Sequence, residues 1–397
     1  MKLKIVRITF IVLVGFLLTM GVISMIGDRT YTYTPLFDEM MPENTVKNFM
    51  VAPTETALTF ARYESEAGIQ VLLVHRYTAD WIEGVNLNDA LQTPETDVLV
   101  LFETEGYDRL AKLNHTVALV RIASENVVIP IDTGERHIAM GGNYLEHGQE
   151  VAIETPWIFP KIVQPTPAFA DVPWNTTMLD PEVEMGLVLL NDLRKEDGFP
   201  EYMGIILVND FSDRKRLVQY TNPNSDDPCA GCTEGKSQAM YLPIGNLLVV
   251  PKDFETFYPQ IELRLYVNNA LRQKAYTSEL TLNPRQIVNT IWENAEALYD
   301  YQGGKTSLLA NPDLIEKGTI ILTGTPAGVV FSPPTFRQIM SGIPGYILSF
   351  NWSNRSPLDG YFRGAEGARL FLQKGDQVIS SANYLGILDQ RIRDDLK

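Results

Sequence analysis

LDPEVEMGLVLL, residues 179 to 190, opens on carboxylates and closes as an unbroken apolar run. Side chains two apart on an extended strand share a face, so Glu182 and Glu184 project together. Two like charges at the head of an apolar strand repel each other and call for a partner, either solvent at a strand end or a divalent cation. GIILVNDFSDR, residues 204 to 214, ends a second apolar strand at Asp210, which offers a third oxygen ligand. Three hard carboxylates without Cys or His beside them favour Mg²⁺, or Mn²⁺ or Ca²⁺, over zinc.

Strand-like runs extend in both directions from this pair. Upstream lie ALTFARYE, GIQVLLVHRY, TDVLVLFE, HTVALVRIA and NVVIPI; downstream lie QIELRLYVN and TIILTG. They are rich in Val, Leu and Ile and punctuated by Gly, Asn, Asp and Pro, the pattern of short strands joined by tight turns. One helix is predicted over Tyr107–Leu113. Another is predicted over Pro284–Tyr299, opening on a proline whose missing N–H costs little there. The class is α+β and strand-rich, without internal repeats.

The chain of 397 residues carries 33 basic and 49 acidic side chains, a formal charge of −16. Phosphate neutralisation needs clustered Lys and Arg, so this balance argues against a nucleic-acid partner. Four histidines and two cysteines exclude a disulfide-rich scaffold and a large Cys/His zinc cluster. Ile8–Ile26 carries no charge and follows Lys2, Lys4 and Arg7. As a helix it would run roughly 28 Å, close to the hydrocarbon thickness. The expectation is a single-pass signal-anchor over residues 1–27. Its N-terminus would be cytoplasmic and the catalytic part exported, periplasmic if bacterial. Residues 28–52 then read as a linker, 53–132 as a smaller β-rich domain and 133–397 as the domain carrying the carboxylate clusters.

Three further clusters carry chemistry. GGNYLEHGQE, residues 141 to 150, sets His147 and Glu150 three apart, so on one helical turn they share a face. A carboxylate beside an imidazole fixes its tautomer and raises its basicity, although His-x-x-Glu also arises by chance in surface helices. GKSQAMYLPIG, residues 235 to 245, suggests a phosphate loop, but the preceding Gly231 is one residue short of the required spacing. Lys236 beside a carboxylate-rich site can instead steady an enolate or oxyanion. ILTGTPAGV, residues 321 to 329, offers backbone N–H groups and hydroxyls to a small anion, or is an ordinary Gly-Pro turn. CAGC, Cys229 to Cys232, would close into a disulfide in an oxidising compartment, as a loop staple or as a clamp on Lys236.

In order, GGNYLEHGQE, FPKIVQPTPAF, LDPEVEMGLVLL, GIILVNDFSDR, GKSQAMYLPIG, VNNALRQ, KGTIILTGTPAGV and KGDQVISSANYLGILDQRI resemble the fumarylacetoacetate hydrolase family over residues 136–397. The resemblance implies a mixed β-roll catalytic domain, a carboxylate-held divalent metal and short 2-oxo or 1,3-dioxo acids as substrates. Glu182, Glu184 and Asp210 fall on the family's metal ligands, and His147 and Glu150 on its water-activating dyad. Lys236 falls on its enolate-steadying lysine, Arg214 on an arginine facing the substrate carboxylate, and Thr325 on a substrate-binding threonine. Met140 stands where the longer tyrosine-pathway enzymes carry a further metal Asp, so the acylpyruvase-like, three-carboxylate branch fits better.

There are departures. Lys215 takes the place of an Asp, Gln219 is displaced, Asn269 replaces a usual Gly, and residues 331–369 read as an insertion. The expected activity is metal-dependent hydrolysis of a C–C bond in an acylpyruvate-like acid. The alternatives are oxaloacetate-type decarboxylation, isomerisation or hydration on the same frame, or a non-catalytic tethered oxo-acid binder. The expected partners are the small oxo acid, the membrane through the N-terminal helix, and a second copy in a homodimer.

Overall fold

Val183–Val188 pairs antiparallel with Gly204–Asn209 along one edge and with Ile320–Leu322 along the other. All of its side chains are buried, which is why the run is apolar apart from Glu184 rather than alternating. Gly186 is required at its centre, because a Cβ there would lie 2.9 Å from Ile206 and Val208 and 3.0 Å from Ile320. This computed structural model describes residues 2–113, 117–221, 225, 227, 229–348 and 356–394, with side chains of the first helix from Val12 onward.

The sheet built on this strand runs in the order Val120–Ala123, Trp81–Asn86, Gly68–Thr78, Ala57–Ser65, Leu248–Pro251, Gly204–Asn209, Val183–Val188, Ile320–Leu322, Arg136–Gly141, Trp157–Ile162. The strands upstream of residue 90 therefore continue the sheet that carries Glu184, through the pairing of Ala57–Phe60 with Leu248–Pro251. A second sheet orders Ala270–Tyr276, Glu262–Val267, Gln377–Ala382, Gly386–Arg393 and Val172–Pro173. Its first hairpin turns at Asn268 and Asn269, with φ of 50° and 69°. Two successive left-handed residues suit the twist of a tight hairpin, and Asn tolerates that region without glycine.

Tyr107–Leu113 is helical as expected. Pro284–Glu293 is helical too, capped reciprocally by Asn283 and Gln286 at 2.9 Å, but it stops short of the predicted Tyr299. Leu298–Tyr301 instead pairs with Gly304–Ser307 in a hairpin. TDVLVLFE, expected as a strand, forms the helix Val98–Glu105. Asp97 accepts from the Leu99 N–H at 2.8 Å, and Val98, Leu99, Leu101 and Phe102 are buried. The N-cap and this apolar face outweigh the β-propensity of the run.

Residues 35–329 and 373–397 form one compact unit holding both sheets; residues 1–34 and 330–372 form another. In the second unit the helix Lys2–Ile26 is followed by Gly27 packed on Ser341, and the Asp28 N–H donates to the Arg337 carbonyl at 3.1 Å. The Tyr31 hydroxyl donates to the Val330 carbonyl at 3.0 Å and accepts from the Ser332 N–H at 2.9 Å. The segment read as an insertion thus supplies two helices, Phe336–Leu348 and Asp359–Ala368, to the unit that contains the N-terminal helix.

Among the described residues, no helix is long and apolar enough to cross a membrane. This overturns the transmembrane helix expected at Ile8–Ile26, and with it the single-pass topology and the exported catalytic domain. Within that stretch Met20 is buried while Leu18, Val22 and Met25 are exposed, and Gly27 just beyond it sits against the helix Phe336–Leu348. What stands is a mixed α+β fold with a β-rich N-terminal region.

Candidate active site

The register Val183↔Asn209 brings Glu182 opposite Asp210, whose N–H donates to the Glu182 carbonyl at 2.8 Å. The Asn209 side-chain oxygen accepts from the Glu182 N–H at 2.9 Å, and its amide donates to Ser380 at 3.1 Å. Two strand ends are thereby pinned side by side. Glu182, Glu184 and Asp210, all buried, place one carboxylate oxygen each within 4.8 Å of one another.

Three cations surround them. Lys236 Nζ donates to Asp210 and to the Ser212 hydroxyl at 2.7 Å, and to Glu182. Arg214 bridges Asp180, at 3.0 Å, and Glu182. Lys161, fully buried, donates to Asp210 and to the Lys236 carbonyl at 2.6 Å. Burial alone would raise Glu182, but Arg214 and Lys236 outweigh it and hold that carboxyl at about 2. Glu184 goes the other way. Burial, then the charges of Asp210 and Glu182, push it well above the usual carboxylate range. Its carboxylate accepts a hydrogen bond from the Gly324 N–H at 2.7 Å.

This imbalance tests whether a divalent cation fits. Asp180, Glu182, Glu184 and Asp210 face Lys161, Arg214 and Lys236, so the cluster is short of positive charge, and Glu184 bears the deficit. The buried hydroxyl of Tyr144 has no hydrogen-bond partner among the described residues, and burial, then the Glu184 charge, hold its proton on. Convergent hard oxygens, a charge deficit and an unpaired buried hydroxyl fit a hard divalent ion.

His147 and Glu150 lie on the short helix Leu145–Glu150, with His147 Nδ1 and Glu150 Oε2 3.2 Å apart. The Glu150 carboxylate also accepts from the Gly328 N–H at 3.2 Å, which anchors it from the TGTPAG turn. Gly142 precedes this helix at φ 68°, where a Cβ would strike Ile153 at 2.5 Å, so the Gly-Gly turn is sterically required. Thr325 donates to the Val183 carbonyl at 3.0 Å and accepts from Gln273 at 2.8 Å, which ties the turn to the strand bearing Glu184.

Sequence reasoning missed Lys161, Asp180, Ser212 and Gln273 around this centre. Lys161 left a signal, a lone charge inside the apolar strand WIFPKI, and Asp180 stands two residues before Glu182. Lys215 and Gln219, where the pattern departs, line a cavity of about 320 Å³ with Trp174, Asn175, Thr176 and Thr177.

Residues 136–393 match the family model described as fumarylacetoacetate (FAA) hydrolase C-terminal. The chain belongs to the fumarylacetoacetate hydrolase family. It is 27% identical over 216 residues to oxaloacetate tautomerase YisK of Bacillus subtilis (strain 168), covering 50% of this chain and 62% of that relative. It is 24% identical over 208 residues to the mitochondrial oxaloacetate decarboxylase of Dictyostelium discoideum, covering 50% and 84%. The fumarylacetoacetate hydrolase of psychrophilic Exiguobacterium antarcticum shares the fold at a TM-score of 0.55 and 17% identity, over 85% of this chain and 99% of that one. The buried acidic triad suits the divalent metal expected at this family's site.

Proposed function

We propose that the chain hydrolyses a C–C bond in a short acylpyruvate-like 2-oxo or 1,3-dioxo acid. The observation that carries this reading is the His147–Glu150 pair, a base with its orienting carboxylate in the same unit as the acidic triad. A proton on Nδ1 faces Glu150, leaving Nε2 as the basic nitrogen. His147 would take a proton from water as the oxygen attacks the distal carbonyl. The C–C bond then breaks and its electron pair passes into an enolate. The Lys236 ammonium, held by Glu182, Asp210 and Ser212, is the cation best placed in chemistry and charge to oppose that developing negative charge. Glu182, Glu184 and Asp210 would hold the divalent ion, Mg²⁺ in this reading, which supplies Lewis acidity toward the oxo-acid oxygens. Arg214 is engaged by Asp180 and Glu182, so it acts first on the carboxylates and only then on substrate.

The second reading is enolate chemistry on an oxaloacetate-type acid, decarboxylation or tautomerisation, favoured by the names of the two curated relatives. It needs the enolate sink but no attacking water. One experiment separates them. The full chain, with Mg²⁺ or Mn²⁺, is followed on acetylpyruvate by its diketone absorbance and on oxaloacetate by enol and pyruvate formation. Hydrolysis that falls about 10²- to 10⁴-fold in His147→Ala supports the first reading. Turnover of oxaloacetate alone, unaffected by that substitution, rejects it in favour of the second.

A further inference from the structure

Lys236 reaches the acidic centre from the end of a helix too short to hold itself in place. Cys232–Lys236 is five residues long, well under the length at which an isolated helix is stable in water. Its position must therefore come from its attachments. At its middle, the Glu234 carboxylate accepts from Arg216 at 2.9 and 3.1 Å and from the Gln302 N–H. At its start, Cys232 is disulfide-bonded to Cys229, with Cα atoms 5.4 Å apart, and the Cys232 N–H donates to the Cys229 carbonyl at 2.8 Å. The intervening Gly231 has φ 105°, and a Cβ there would lie 2.2 Å from the Leu217 carbonyl oxygen, so the bridged turn is seated directly against the helix Arg214–Gln219. Asp227 fixes the approach, accepting from the Cys229 N–H at 2.9 Å and from the Asp300 N–H at 3.0 Å.

We propose that the Cys229–Cys232 bridge is a thiol–disulfide modification site whose oxidised form positions Lys236 for catalysis. This deepens the reading of Lys236 under the proposed function and rests on it. The location expected from the sequence no longer fixes the redox state of this pair, so both states are to be considered. Cys229 is half-buried and Cys232 is buried, which makes Cys229 Sγ the accessible sulfur. A dithiol reductant attacks there as its thiolate. The Sγ–Sγ bond breaks, Cys232 leaves as thiolate, and a mixed disulfide with Cys229 remains. The second thiolate of the reductant attacks the reductant's own sulfur in that mixed disulfide, closes its cyclic disulfide and releases Cys229. Two electrons and two protons enter the protein and the reductant is oxidised. The five-residue helix then keeps its Glu234 anchor and the Lys161 contact to the Lys236 carbonyl but loses the tie at its start, and the ammonium at its far end gains freedom over the carboxylates.

The test uses the full Mg²⁺-loaded chain, oxidised and after dithiothreitol, with free thiols counted in each state. Backbone hydrogen exchange is read at Gly235 and Ser237, whose N–H groups donate to the Gly231 and Thr233 carbonyls, and along Val183–Val188. Reduction is expected to speed exchange at Gly235 and Ser237 about 10-fold, leave Val183–Val188 unchanged, and lower kcat several-fold with little change in KM. The double variant Cys229→Ser/Cys232→Ser should reproduce both effects and ignore the reductant. Two titrated thiols with unchanged exchange at Gly235 and Ser237 would overturn the proposal. So would exchange rising equally in Val183–Val188, which marks a staple of the whole fold. If exchange responds as expected but neither state turns over any oxo acid, the positioning stands and the proposed activity falls.

Discussion

Two buried cations in the same sheet, Arg62 and Lys161, are held in opposite ways. Arg62, on the strand Ala57–Ser65, donates to the Ile129 carbonyl at 2.9 Å and to Asp132 at 2.8 Å, and the Asp132 side chain is 66% exposed. Lys161, on Trp157–Ile162, donates to Asp210 with the two side chains 0% and 1% exposed. At the first position water shares the desolvation of the pair. At the second nothing does, and the charge is neutralised only by a cluster of other charges. A fold seeking stability alone gains little from the second arrangement, because well-packed apolar residues do as well or better. The difference separates an ion pair shared with water from a buried charge cluster that stability alone does not account for.

The largest break in this comparison is Asp210→Ala. It removes a ligand of the acidic triad and strands Lys161, and breaking a buried pair typically costs about 3–5 kcal/mol. Mn²⁺ binding, followed by electron paramagnetic resonance, should be lost together with a large part of the urea stability. Arg62→Met should cost about 1–3 kcal/mol, through carbonyls left unpaired, and leave Mn²⁺ binding as it was. Retained Mn²⁺ affinity in Asp210→Ala would remove the case for a metal centre there.

The same contrast explains what could be read from the sequence. Glu182, Glu184 and Asp210 were legible because each is a carboxylate at the mouth of an apolar strand, a pattern with few physical meanings. Their convergence was legible only through a family's ordered motifs, since the register Val183↔Asn209 is a tertiary fact. Lys161 was passed over because its partner lies 49 residues away in the chain. TDVLVLFE was misread because a buried apolar run has no period that separates strand from helix, and the deciding residue is Asp97 at its cap. For Ile8–Ile26, hydropathy alone reveals neither that Met20 is buried nor that Gly27, just beyond, packs on Ser341.

A smaller effect tests the same cluster through pH. His137 faces Lys161 across the strand pair Arg136–Gly141 and Trp157–Ile162. Burial, and then the Lys161 charge, lower its imidazole to about 3 from an ordinary 6.5. The unfolded chain takes up that proton below 6.5 and the native one does not, so stability falls as pH drops from 6.5 toward 3, by up to about 1.4 kcal/mol per pH unit. Glu182, held at about 2, contributes stability above its ordinary 4.5 that is lost as pH falls through about 2. Glu184, pushed well above its ordinary 4.5, acts in the opposite sense from 4.5 upward, so the His137 share is read as the difference between parent and His137→Asn from pH 6.5 to 4.5. As pH falls across that window the urea midpoint of the parent should drop relative to that of His137→Asn, and parallel curves would rule out a neutral, proton-refusing His137.

The smallest effect belongs to a pair that looks stronger than it is. Arg121 donates to Glu83 at 2.8 Å and stacks 4.0 Å from the Trp81 ring centroid, on neighbouring strands at the sheet's edge. Its side chain is 56% exposed, so water already screens the charge, and holding two long side chains in one geometry costs entropy. Arg121→Ala should cost no more than about 1 kcal/mol, most of it through the guanidinium–indole contact. That share resists salt, whereas the ion-pair share is screened at high ionic strength. Melting Arg121→Ala and Glu83→Gln at low and high NaCl tells them apart: Glu83→Gln should converge on the parent as salt rises, and Arg121→Ala should keep most of its deficit. If both converge fully, the ring contributes nothing, and this site differs from Arg62 only in how little of its pairing is shielded from water.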